Sequence, residues 1–211
     1  FGGDSSRQIA AIWTYLKDGD RAGIPDGLLA DVIELKPVDR PIIYRNFIEG
    51  LSPRGIAVGY PEHCNLGWDA NQMSLGLVWH GKFIDASMHW VGRGSGNQTP
   101  LGDHVTRIDE TSPVAILESA DSPWPTQTPR ERGYKFLGYE LDTQHRPAFK
   151  YRAGPVGVVD FPEPVALGKE GSFRRHLTFT SESAVENLYV RVAAGKSIEA
   201  RPDGTYFIDK V

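Results

Sequence analysis

The chain has 211 residues and a formal net charge of −4, with 40% hydrophobic and 24% charged residues. That composition supports the packed core of one large domain and excludes global disorder. There is no long basic run, and no apolar run approaches the roughly 18 residues of a membrane span, so neither a nucleic-acid partner nor a span is expected.

The first predicted element is a helix over 4–17. Ile9, Ile12, Trp13 and Leu16 recur at i, i+3, i+4 and i+7 and draw one apolar stripe. Ser5 is the expected N-cap, Gln8 its capping-box partner and Gly19 the stop. A stripe this narrow needs something to dock on. Residues 18–40 read as a breaker-rich linker and approach segment. From residue 40 the signals are short strands: "PIIYRNFI", "IAVGY", "MSLGLVWHG" and "KFIDAS", then "PVAILE", "YKFLGYELD", "PAFKYRAG", "VGVVDFPEP", "FRRHLTFTS", "NLYVRVAAG", "SIEAR" and "TYFID". Turns are expected at "EGLSPRG" and "PEHCN". Met73, Leu75, Leu77 and Trp79 are expected on one strand face. The Pro-rich stretch 111–133 reads as a long loop or edge crossover between two strand-dense halves. Roughly ten to thirteen strands between Gly, Pro and Asp turns predict a mainly β fold. The expectation is a large antiparallel β-sandwich over 21–211 with one N-terminal α-helix within 1–20.

A single cysteine, Cys64, excludes an intrachain disulfide and a thiolate metal cluster built from this chain. The densest chemistry lies between Trp68 and His104. If 73–80 and 82–90 are neighbouring strands, the polar residues of this segment converge on one surface. Trp68, Trp79, His80, Asp85, Trp90, Arg93 and His104 are then the candidate ligand-binding residues. Indole faces take the C–H face of a sugar ring, while charged groups hold its hydroxyls. Asp69, Asp85, His89 and Asp103 are the candidate catalytic residues, because two suitably spaced carboxylates cleave a glycosidic bond.

A structural reading competes at each position. Trp in a sheet is usually core, Asp69 in "WDAN" suits a turn cap, and Asp85 suits an ion pair with Arg93 or Arg45. His80, His89 and His104 lack metal-ligand spacing, so no metal is expected. "GRGSGN" leads into no helix and holds no nucleophile elbow. His63 and Cys64, if adjacent on a strand, point to opposite faces. Arg45, Arg54, Arg174 and Arg175 sit between apolar positions, where an inward guanidinium needs an acid. Asp69, Asp85, Asp103 and Asp160 are the candidate partners.

"GGDSSRQIAAIWTYLKDG" resembles the closing helix of a class I c-type cytochrome domain, in the form found in large planctomycete-type haem-binding multidomain proteins. The stretch from "RPIIYRNFIEGLSPRG" to "GNQTPLGDHV", and the later "FLGYELDTQHRPAFKYR", are similar to the β-rich domain that follows the cytochrome there. The resemblance covers most of the chain but brings no settled activity for that domain. It implies an upstream cytochrome module, a periplasmic or secreted location, and a place beside sugar handling and electron transfer. The chain departs from the pattern in having no C-x-x-C-H. A c-type haem is therefore implied only for a missing upstream module, no cofactor is expected on this chain, and helix 4–17 is expected to be the remnant of that module or a helix reused to cover the sandwich. The start at Phe1, without Met or a visible signal peptide, likewise reads as a mature, processed or excised piece.

Three functional readings stay open. The chain is an accessory β-sandwich module that binds a carbohydrate or a partner protein, a sugar-active enzyme using Asp and His residues of 68–104, or a structural spacer.

Overall fold

The computed structural model describes residues 5–18, 32–90, 96–108, 111–167 and 170–209. Helix α1 (Ser5–Asp18) forms where the apolar periodicity places it. Ser5 is its first helical residue rather than a cap. Of the two docking places expected for the stripe, the β domain or a missing upstream partner, the first is not used: Ile9 is 66%, Trp13 68% and Leu16 71% exposed. The boundary expected near residue 20 lies outside the described residues.

The rest is mainly β and antiparallel. Strand β1 (Glu34–Leu35) leads into a five-stranded sheet, whose first members are β2 (Ile42–Arg45), β3 (Gly55–Gly59), β4 (Cys64–Asp69) and β5 (Ser74–His80). The chain then crosses that sheet through β6 (Ile84–Asp85), which pairs with β1, and the single turn α2 (Ser87–Trp90). It returns to the far edge as β7 (Asp103–Arg107), giving the order β2-β3-β4-β5-β7. Strand β8 (Val114–Ile116) falls where "PVAILE" is read as a strand, inside the Pro-rich stretch 111–133, and pairs with a later strand. The second sheet follows as β9 (Lys135–Leu141), β10 (Pro147–Ala153), β11 (Val156–Leu167) and β12 (Glu170–Thr180), in spatial order β12-β11-β10-β9. Strand β13 (Leu188–Val190) is the partner of β8, and β14 (Ile198–Ala200) with β15 (Tyr206–Ile208) forms a hairpin at the C-terminal end.

The two larger sheets share one core. Ile56, Val58, Leu66, Trp68 and Leu75 from the first meet Phe149, Tyr151, Val156 and Val158 from the second. Trp68 stacks on Phe149 with ring centroids 4.5 Å apart and planes 3° apart. A second cluster, Ile48, Ala57, Leu77, Trp79, Phe83 and Ile84, fills the opposite face of the five-stranded sheet. That sheet is therefore covered on both sides. Its central strands β3 and β4 are buried at every position. Strand β4, "CNLGWD", is unpredicted although Cys64, Leu66 and Trp68 alternate with Asn65, Gly67 and Asp69, because Asn, Gly and Asp read as turn residues and "PEHCN" is read only as a turn.

The expected single face for Met73, Leu75, Leu77 and Trp79 is corrected by a β-bulge. Leu77 pairs with Gly67 and Leu75 with Trp68, so Gly76 is an extra residue in β5. One inserted residue flips every later side chain to the other face. Met73 and Leu75 point between the sheets, whereas Leu77 and Trp79 point away from them.

The expectation that 82–90 forms a strand beside 73–80 is also corrected. The Trp79 indole N–H donates to the carbonyls of Lys82 (3.1 Å) and Phe83 (2.8 Å). The Asn65 amide donates to the Gly81 carbonyl at 3.1 Å. These bonds fold the chain back across the sheet, and the Phe83 ring settles on Gly59, where a Cβ would stand 2.5 Å from it.

Between the sheets a buried acid is paired. Asp160 accepts from Arg175 Nε (2.9 Å) and Nη2 (2.6 Å), and from the Trp68 indole N–H at 3.2 Å. Arg175 is the inward guanidinium foreseen from "FRRHL", whereas Arg45, Arg54 and Arg174 are exposed.

Cys64 also points into this core, and its neighbour His63 is exposed at φ 59°, so the two do not act together. Burial, assisted by the Glu62 charge, pushes the thiol up to about 12. Thiolate is the reactive form. The native protein is therefore expected to resist Ellman's reagent at about pH 8, and the urea-unfolded chain to react freely. Rapid labelling of the folded protein would contradict this placement.

Candidate functional site

The predicted site residues do not gather on one surface. Trp68 and Trp79 are fully buried, so neither indole offers a face to a ligand. Asp69 closes the turn after β4: its carboxylate accepts from Ser52 N and Oγ (2.7 Å each), Asn71 N (2.8 Å) and Gln72 N (3.1 Å). Asp85 is similarly committed, to Ile33 N (3.0 Å), Ser87 N (2.8 Å) and Ser87 Oγ (2.9 Å). Both carboxylates hold backbone in place, the local role short acidic side chains favour.

Asp103, His80 and His104 lie together at the β5–β7 edge. Asp103 is opposite His80, and the His80 and His104 rings are 6.4 Å apart at 80°. His89 sits instead over β2, at the opposite edge of the sheet. Trp90 belongs to α2, but its side chain, like the whole of Arg93, lies outside the described residues. Among the described residues no group of three or more His, Cys, Asp or Glu side chains is arranged to hold a metal ion.

The arrangement with the most to offer a ligand surrounds His89. Asn46 follows β2, and its Oδ1 accepts from the Phe47 N–H at 2.8 Å. That contact orients the amide so that Nδ2 reaches the Tyr44 hydroxyl (2.9 Å) and His89 Nδ1 (2.7 Å). His89 Nδ1 is thus an acceptor, and Nε2 carries the ring proton. Burial, with the Asp85 charge adding to it against the Asn46 hydrogen bond, raises the Tyr44 hydroxyl above its usual range, so it stays protonated.

The return segment completes the wall. Gln98 N donates to the Phe47 carbonyl (2.7 Å) and Glu49 N to the Gln98 carbonyl (2.9 Å), which locks 96–98 beside 46–49. Asn46, Phe47, Met88, His89, Gly96, Asn97 and Gln98 line a groove of about 410 Å³. Phe47 is 53% exposed. Gln98 is 3% exposed, and its Oε1 is buried with no hydrogen-bond partner. An unpaired buried carbonyl is costly and points to a missing donor.

Of these residues only His89 is singled out from the sequence. Asn46, Phe47, Met88, Asn97 and Gln98 carry no motif. A polar amide and an aromatic directly after a strand are a faint signal, and only the pairing of 46–49 with 98 brings the two segments together.

A second polar cluster lies on the outer face of the four-stranded sheet. Arg146 donates to Asp142 (2.7 Å) and Glu163 (3.2 Å) and lies 5.2 Å from the Phe161 ring centre, while His176 meets Glu163 at 3.0 Å. The His176 hydrogen bond, with Arg146 beside it, holds the Glu163 carboxyl below the usual range. Burial opposes ionisation of Asp142, but hydrogen bonds from Arg146 and Gln144 outweigh it and lower that carboxyl too. A folded-state value below the unfolded one gives stability that is complete above the unfolded value of about 4 and lost as pH falls through the folded value. In urea unfolding, Arg146→Met is expected to show a smaller loss of stability between about pH 6 and pH 2.5 than the unsubstituted protein. An equal loss would mean that this cluster is not linked to folding.

Compared with known proteins, the chain matches no protein-family model, no curated protein and no solved structure.

Proposed function

We propose that the chain is a non-catalytic β-sandwich recognition module that binds carbohydrate in the groove between 46–47, 88–89 and 96–98. The observation that carries this reading is the buried, unpartnered Oε1 of Gln98 beside a half-exposed Phe47 ring. Sugars are held by neutral hydrogen bonds to hydroxyls and by an apolar ring face. Amides and an imidazole supply the first, and Phe47 supplies the second. Among the described residues the groove lining includes no Asp or Glu, and Asp69 and Asp85 are spent on backbone amides, which favours binding over glycoside cleavage. The resemblance to β-domains that follow cytochrome modules sets this recognition in a periplasmic or secreted redox protein. There the module would hold sugar or a partner near the haem-bearing part, and the solvent-facing stripe of α1 suits contact with such a neighbour.

The test is calorimetric titration with a panel of soluble oligosaccharides. Saturable binding is expected, weakened at least about tenfold by Phe47→Ala and by Gln98→Met. Gln98→Met also removes an unpaired buried carbonyl without changing volume much, so the variant is expected to be as stable as the parent or more so. Binding lost while stability holds is the signature of a ligand-contacting residue. Absence of binding across the panel, or binding indifferent to both changes, would defeat the reading.

A further inference from the structure

The groove also constrains which sugar it takes, and the inference here rests on the carbohydrate reading above. We infer that the ligand carries an acetamido group, as a 2-acetamido-2-deoxy sugar does. Three observations converge. Among the described residues the lining includes no Asp, Glu, Lys or Arg, so none of them is a charge partner for a uronate or an amino sugar. The orphaned group is an acceptor, Gln98 Oε1, and an amide N–H is a donor with no lone pair to satisfy in return. The terminal torsion of Gln is soft, so its amide turns toward a ligand at little cost.

Two apolar side chains share the groove with this acceptor. Met88 and Phe47 both line the groove, and the Met88 methyl lies against Gly96, where a Cβ would stand 3.3 Å from it. Gly96 has φ +92°, a conformation side chains rarely adopt, so the loop and the thioether keep this contact. A thioether and a phenyl ring in the same groove as a hydrogen-bond acceptor match a methyl next to an N–H. Asn97 offers an amide donor for the acetamido carbonyl. A simple diol would leave the Met88 side unused.

The experiment compares two probes with the same linkage and length, an N-acetylglucosamine trimer and a glucose trimer, both β-1,4. The expected result is affinity for the acetamido trimer at least about tenfold above that for the glucose trimer, since a site with buried polar groups rejects an analogue that leaves them unpaired. Saturation-transfer NMR should place the acetyl methyl among the most strongly saturated protons. Met88→Ala, confirmed as folded by circular dichroism, should erase most of the preference for the acetamido trimer. Equal affinities, or a preference for the glucose trimer, would overturn the acetamido assignment and leave the groove reading intact. Binding of neither trimer, nor of any panel sugar, would overturn both.

Discussion

Trp68→Ala is expected to lower the unfolding free energy by about 4–5 kcal/mol, the upper part of the range for removing a buried aromatic side chain. Trp68 is fully buried at the centre of the sandwich. It lies flat on Phe149, and Phe136 and Tyr151 approach at 5.0 and 6.3 Å. Truncation leaves a cavity walled by residues of two hydrogen-bonded sheets, which close poorly around a void. It also removes the indole N–H from Asp160, leaving a buried carboxylate with one donor fewer. Trp68→Phe separates the two effects, because the ring is retained and only the N–H and some volume are lost. Its cost should be well below that of Ala. Equilibrium urea unfolding followed by far-ultraviolet circular dichroism measures both. Similar, small losses for the two variants would mean that Trp68 is not the keystone of the core.

Arg175→Met is expected to cost about 3 kcal/mol, the lower end of the range for breaking a buried pair, because the guanidinium is partly solvated. Asp160 has no solvent access, so loss of Arg175 strands a carboxylate against Tyr151, Phe149 and Trp68. The paired replacement Asp160→Leu with Arg175→Met should recover most of the loss, since an apolar pair of similar volume carries no desolvation penalty. The cycle of single and double variants isolates the coupling. A double variant as unstable as the sum of its parts would contradict a mutually compensating pair. Because Trp68 also donates to Asp160, Trp68→Ala and Arg175→Met should combine non-additively.

Both results concern scaffold, while the groove near His89 depends on that scaffold only at its floor. The five-stranded sheet presents Tyr44 at one edge, and the segment crossing its second face delivers His89 and Gln98 to the same edge. The site thus belongs to a sheet–loop junction, where rigid strands hold one wall and a short irregular segment supplies the other.

The antiparallel sandwich was legible in the chain because short strands between Gly and Pro turns leave few other architectures, and alternation was clean wherever one sheet face met solvent. Strands β10 to β12 follow that alternation and were readable, whereas the hairpin β14–β15 is largely exposed and was read only as short segments between turns. The helix α1 was readable from spacing alone, since 3.6-residue periodicity is local. The Arg175–Asp160 pair was half-legible: an inward Arg required an acid, but four candidate acids were available.

What only the tertiary structure decided was everything that depends on a second covered face or on an extra residue. Strand β4 buries Asn65 and Asp69 as well as Cys64, Leu66 and Trp68, so residues that read as a turn are held inside by a second cover. Gly76 looks like any strand glycine until its pairing makes it a bulge that sends Leu77 and Trp79 to the face opposite Leu75. The same insertion helps to separate the residues of 68–104, so that Trp68 and Trp79 enter different cores and the polar residues divide between opposite sheet edges. Composition and local periodicity determine which segments extend, because those preferences are properties of adjacent residues. Register, and with it the company each side chain keeps, is set by pairing between distant segments, where a shift of one residue reverses every face.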